Sequence, residues 1–256
     1  MKPLFQYLLV SMFGLSALAA NAQSEKTFTY LIYHKLSPGL TIQDALPVER
    51  EWRAINQAAV DEGKLLGWYM MVRQMSSDQN AEYDYITMIV SPEMNMKGAS
   101  PAAMAKIYGD SVQTRMASLQ KRDKATAPVV KMEIWETMVA SFGAGFDPSK
   151  SPLLVVDFMR SRDATPGWKV MAPLSHSYSE GIKRNEIVGG GLSGLVVPRG
   201  SEKGYGLISF QNVTNLNVLG NPTSEVRQLR NQLAQSYDIV REEVLRATEF
   251  TVRPKK

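Results

Sequence analysis

The chain of 256 residues has no cysteine and only two histidines, His34 and His176. Without a thiol there is no disulfide, no cysteine nucleophile and no lipid-modified cysteine. Two histidines cannot furnish a His-rich transition-metal centre, and no metal or other cofactor is expected. The formal charge of +4 is not gathered into basic runs except at the Lys255-Lys256 end. A nucleic-acid footprint needs clustered lysine and arginine, so nucleic acid is not an expected partner. Beyond the N-terminus, no apolar run approaches the roughly 20 residues of a membrane helix, and no stable membrane insertion is expected.

What is present begins with Lys2, an apolar run LLVSMFGLSALAA from Leu8 to Ala20, and the small-x-small pattern Ala20-Asn21-Ala22. That is the pattern of a secretory signal peptide over residues 1–22, cut after Ala22. The expected location is therefore periplasmic or secreted. Exported chains often rely on disulfides, so this one must be held by its core, for which a 44% apolar composition suffices.

The remainder states one pattern twice. From Thr27, an aromatic and β-branched strand (TFTYLIYHKL) ends in the turn Ser37-Pro38-Gly39. A helix from Ile42 to Glu62 follows, with Val48, Trp52, Ile55, Ala59 and Val60 at helical spacing, Pro47 near its start and Gly63 at its C-cap. Lys64 to Met75 and Tyr83 to Val90 read as a hairpin, about Ala102 to Arg122 as a second helix, and Val129 to Val139 as a fourth strand. After the linker SFGAGFDPSKSP the order recurs. Leu153 to Arg160 is a strand and Trp168 to Asn185 a helix; Glu186 to Val197 and Tyr205 to Val213 form a hairpin. Thr223 to about Glu242 is a helix and Glu243 to Val252 a strand. Each copy is a β-α-β-β-α-β unit, the ferredoxin-like split βαβ. Its bare sheet face needs cover. The expected fold is α+β: two tandem ferredoxin-like repeats, residues 23–142 and 153–256 joined by 143–152, packed sheet to sheet as a pseudo-twofold α+β barrel.

HKLSPG (His34 to Gly39), EREWRAINQAAVDEGKLLGWY (Glu49 to Tyr69) and AEYDYITMIV (Ala81 to Val90) resemble the dimeric α/β-barrel superfamily. That superfamily includes antibiotic-biosynthesis-type monooxygenases and stress-responsive, EthD-like and NIPSNAP-like barrel proteins. The resemblance covers both halves in architecture and carries no motif specific to one activity. Some barrels of this superfamily bind heme through a helical histidine. Both second helices here lack histidine, so only His176 from the first helix of the second half is available.

The candidates for chemistry are few. Strand alternation puts Tyr30, Ile32 and His34 on one face, and Leu153, Val155 and Asp157 on the equivalent face of the second copy. If that face looks into the barrel, an imidazole and a carboxylate share the cavity and either serves as a general base. The alternative for His34 is a place at a strand end, capping a turn. His176 lies beside Ser175 and Ser177, where helix capping accounts for the cluster. Aromatic and methionine residues are abundant, and Tyr30, Trp68, Met70, Tyr83, Tyr85 and Trp135, with Arg73 as a polar anchor, are the expected lining of a pocket for a flat apolar molecule. The same residues would equally make a packed core. Arg199, Glu133 and Glu136 are further possible anchors, each readable as a solvated charge. GGGLSG precedes a strand, so it is not a phosphate loop; its glycines suit a tight helix-to-strand turn. Three readings stay open: a carrier of a small apolar or aromatic molecule, a cofactor-independent monooxygenase-like or polyketide-processing-like enzyme using His34 or Asp157, and a structural protein with a filled barrel.

Overall fold

The computed structural model describes residues 26–253 except 79, 81, 145, 163–167, 201–202, 221–226, 228–230 and 232. The expected leader and much of the helix expected from Thr223 lie outside the described residues. In chain order the elements are β1 (Phe28–His34), α1 (Ile42–Asp61), β2 (Gly67–Ser76), β3 (Tyr85–Ser91), α2 (Pro101–Tyr108), a 3-10 turn (Gly109–Ser111), α3 (Val112–Thr126) and β4 (Val129–Phe142). The second half holds β5 (Leu153–Ser161), α4 (Trp168–Lys183), β6 (Gly189–Val197), β7 (Leu207–Val213), α5 (Asn217–Gly220) and β8 (Tyr237–Phe250).

All eight strands join one closed antiparallel barrel in the order β1-β3-β2-β8-β5-β7-β6-β4. The N-terminal half contributes β4-β1-β3-β2 and the C-terminal half β8-β5-β7-β6. The halves do not stack as two separate sheets: β2 pairs with β8 and β4 with β6, which leaves no free edge. An eight-stranded barrel has an interior just wide enough to be filled by side chains or to hold one small ligand.

Helix α1 begins where Asp44 accepts the Thr41 backbone N–H at 2.8 Å, and it ends at Gly63 in the left-handed region, φ 71°. Pro47 lies inside the helix rather than at its start. The buried face of α1 (Ala45, Leu46, Ala59, Val60) packs on the outward side chains of β2 and β3, among them Trp68, Met70, Tyr85 and Ile89. The second helix of this half is broken at Gly109, φ 59°, into α2 and α3. Helix α4 covers the other half through Leu174 and Tyr178, against Leu153, Val155 and Leu192. A third cluster lies inside the barrel and draws on both halves: Leu31, Met71, Ile86, Trp135, Leu154, Val156, Phe158, Ile208 and Leu245. Each fully buried side chain of this size contributes about 1.5–3 kcal/mol.

Two further sequence expectations are corrected. Tyr237 to Glu242, expected at the end of a helix, are strand residues of β8 paired with β5 from Asp157 to Ser161. The glycines at 189–191 lie within β6 rather than in the turn before it, and they make room for rings. A Cβ on Gly191 would meet the Phe210 ring at 2.4 Å and the Val139 carbonyl at 2.6 Å; one on Gly190 would meet the Tyr178 ring at 2.6 Å.

Candidate functional site

The barrel interior is a cup. One end holds a cavity of about 1100 Å³ whose wall includes Leu31, Met71, Ile86, Met88, Phe210 and Ala247, with Trp135 and Phe158 also facing it. Its lip carries Tyr69, Phe146, Asp147 and Arg253. The described residues of 143–152, expected as a linker, supply much of that lip. Phe142 and Phe146 lie together there, with ring centroids 5.0 Å apart.

The other end is closed by a buried polar network. Glu133, fully buried, accepts hydrogen bonds from the Tyr33 and Tyr205 hydroxyls, each at 2.7 Å, and from Trp135 Nε1 at 3.1 Å. Lys131 lies 3.4 Å from Glu133 Oε1, and Lys203 pairs with the same oxygen. Beside it, Glu243 accepts from the Tyr83 hydroxyl and from Ser76 at 3.2 Å, with Arg241 Nε 3.3 Å away. Arg241 stacks 4.0 Å over Phe158, and Arg73 lies 5.0 Å over Tyr83. Burial pushes the Glu133 carboxyl up, but the Lys131 charge and hydrogen bonds from Lys203, Tyr205 and Tyr33 outweigh it and hold it below the usual carboxylate range. Burial and then the Glu133 charge push the Tyr33 and Tyr205 hydroxyls up, so both stay neutral donors. Trp135 joins the two ends, one edge on the carboxylate and the rest against the cavity.

Of the expected pocket residues, Trp135, Tyr83 and Arg73 are on the inward face, Trp135 at the cavity and the other two at the closed end. Trp68, Met70 and Tyr85 face outward under α1, as does Tyr30, which packs against the same cluster and donates to the Met94 carbonyl. The face carrying His34 and Asp157 is likewise the outer one: inward positions on β1 and β5 are Leu31 and Tyr33, and Leu154, Val156 and Phe158. His34 and Asp157 therefore do not meet in the cavity. Asp157 lies beneath α4, in a recess of about 270 Å³ with Tyr178, Ser209 and Glu242. His176 is exposed on α4. Glu136 pairs with Lys26 at 2.8 Å, and Arg199 donates to the Leu195 carbonyl.

His34 occupies a second, smaller polar centre. It is buried, stacked on Tyr85 at 4.6 Å, with Nδ1 3.1 Å from the Ala127 carbonyl and Nε2 3.0 Å from Thr87 Oγ1. Glu49 of α1 accepts from the Tyr85 hydroxyl at 2.7 Å, and Asp123 of α3 lies alongside. Burial lowers the His34 pKa to about 4 against the opposing carbonyl. Burial raises Glu49 to about 8, opposed by the Tyr85 hydroxyl and aided by Asp123. Burial also raises Asp123. The sequence reading missed Glu49, Asp123 and Glu243. The charged residues of an amphipathic helix or an alternating strand normally mark its wet face, and here Glu49 and Glu243 are buried and Asp123 is half-buried.

No protein-family model matches the sequence, and a search of curated proteins finds no match. Solved structures do match. An anthrone oxidase-like protein superposes with a TM-score of 0.54 at 9% identity, covering 91% of this chain and 95% of its own. Monooxygenase candidates from Lactobacillus acidophilus and Fusobacterium nucleatum superpose with TM-scores of 0.53 and 0.55 at 8% and 7% identity, covering 90% of this chain and 97% of theirs. At such identities the likeness shows the fold alone: a closed antiparallel α+β barrel. None of these matches singles out the NIPSNAP-like or EthD-like branch.

Proposed function

We propose that the protein is an exported carrier that holds one apolar or aromatic molecule in the open end of its barrel. The cavity of about 1100 Å³ carries this reading. A filled structural barrel would leave no such space, and ligand sites commonly span about 300–1000 Å³. Its wall is aliphatic, aromatic and thioether, while polar groups such as Thr29, Thr137, Asn212 and Tyr69 are few and dispersed. That composition suits a ligand of several fused rings or a short acyl chain, with any charged end at the lip beside Arg253. Export rests on the leader pattern at 1–22. The reading as two fused ferredoxin-like units, 23–142 and 153–256, is supported by the identical strand order of the two halves.

An oxidative enzyme is the second reading, favoured by the names of the fold neighbours. It cannot use His34 or Asp157 at the cavity, and its proton-transfer group would have to be Tyr69 or another residue of the lip such as Asp147. Native mass spectrometry of the full chain, compared with an acid-denatured sample, tests the proposal. A discrete mass excess that vanishes on denaturation is expected. Absence of any excess, even after incubation with polycyclic aromatics and fatty acids, would contradict it. Consumption of dioxygen by the loaded protein, with release of an altered compound, would move the assignment to the enzyme.

A further inference from the structure

We infer that His34, Glu49 and Asp123 form a binding site for one divalent transition-metal cation of the zinc class, set between the barrel wall and its helix layer. One donor atom from each of the three residues lies within 4.8 Å of the others. They come from three elements: β1, α1 and α3. His34 is prepared as a ligand. A carbonyl only accepts, so Nδ1 carries the proton donated to Ala127, and the Nε2 lone pair accepts from the Thr87 hydroxyl, a hydrogen bond that a cation on Nε2 would replace. An imidazole whose second nitrogen is tied to a backbone carbonyl is the usual arrangement for a metal-bound histidine.

The two carboxylates supply the independent sign. Glu49 is 1% exposed, and its Oε2 has no hydrogen-bond partner, although Oε1 is satisfied by Tyr85. Asp123 is half-buried; its Oδ1 is a buried atom without a partner by geometry, although Trp52 also acts as a hydrogen-bond donor to this carboxyl group. No lysine or arginine forms an ion pair with either carboxylate among the described residues. Two buried carboxylate oxygens without donors are costly unless something neutralises them. A dication does so with no net charge left over. Mixed imidazole and carboxylate ligands suit zinc and its neighbours better than calcium or magnesium, which take all-oxygen shells. Zinc bonds of about 2.0–2.2 Å require the three donors to close slightly around the ion. Thr87 Oγ1 or a water would take the fourth position. The cation would tie α1 and α3 to the wall of the barrel, on the side of the sheet away from the cavity, so it serves as a clasp rather than as a reactant. Counting histidines led to the expectation of no metal; the carboxylates of α1 and α3 were unreadable as partners until the helices were placed.

The test uses the full chain stripped with a chelator, titrated with Zn²⁺ by calorimetry and with Co²⁺ by visible absorption. One equivalent is expected to bind, with the intense Co²⁺ absorption of a four-coordinate site and a rise in melting temperature. Loss of an outer-shell partner weakens metal sites about 10–100-fold. Removing a direct ligand in Glu49→Gln or Asp123→Asn should weaken binding by at least that much, while the stripped variants keep the wild-type circular dichroism. No binding by the stripped wild type, a weak octahedral Co²⁺ spectrum, or binding unchanged in both variants would overturn the assignment. The Co²⁺ spectrum of the wild type decides the matter even if a variant does not fold.

Discussion

Glu133 shows how a single carboxylate can hold the closed end of the barrel. It takes three hydrogen bonds from Tyr33, Tyr205 and Trp135 and offsets Lys131 and Lys203. Glu133→Gln leaves those two ammonium groups without their counter-charge. It should cost about 3 kcal/mol at neutral pH in chemical denaturation; a loss within experimental error would show the network to be energetically idle. The pH dependence follows from the carboxyl being held below its usual 4.5 in the fold. The unfolded chain then binds the proton first, so this stabilisation is complete above the ordinary carboxylate range and is lost as pH falls through the lower folded value. The variant's denaturation midpoint should fall less steeply with acid than that of the wild type. At this scale the sequence was half legible. Of the residues expected to line one pocket, Trp135 faces the cavity, Tyr83 and Arg73 lie at the closed end, and Tyr30, Trp68, Met70 and Tyr85 face outward under α1. Both faces of these strands are covered, by cavity on one side and helix on the other, so alternation finds two apolar faces and does not say which is which.

Among the elements, β6 is the one whose sequence is most constrained by its neighbours. Its glycines let Phe210, Phe142 and Tyr178 lie against the strand. Gly191→Ala would press a methyl group on a ring and on the Val139 carbonyl, which cannot step aside. A loss of about 1–3 kcal/mol is expected. Gly194→Ala meets only Met138, at 3.4 Å, and should cost much less. Equal losses measured by urea denaturation would mean that the close approach is not what fixes these glycines. Helix α1 and its Gly63 cap were readable because apolar spacing and glycine geometry are local. The start of β8 was not, because YDIVREE fits a helix as well as a strand, and pairing with β5 decides between them. The break at Gly109 was missed for a related reason: the apolar stripe of α2 and α3 runs on across it.

For the whole molecule, the eight strands and their closure into one barrel were legible, because a barrel is what covers the bare faces of two sheets with helices on one side, whereas the helix expected from Thr223 lies largely outside the described residues and its end is strand. The sidedness of the interior was not legible. It depends on Lys131, Glu133 and Trp135 pointing inward from one strand and meeting Glu243 and Arg241 from another more than a hundred residues away. The cup form makes one claim central: that the apolar end takes a single guest. Trp135 stands at the junction of guest and network, and its fluorescence should respond when the cavity fills. The direct measurement is a titration of the full chain with N-phenylnaphthylamine, set beside Ala247→Trp, which places an indole inside the cavity. Saturation at one probe per chain with quenching of wild-type tryptophan emission, and a loss of affinity of at least about tenfold, or 1.4 kcal/mol, in the variant, is the expected result. No saturable binding, or equal binding by the two proteins, would contradict a guest held in the barrel.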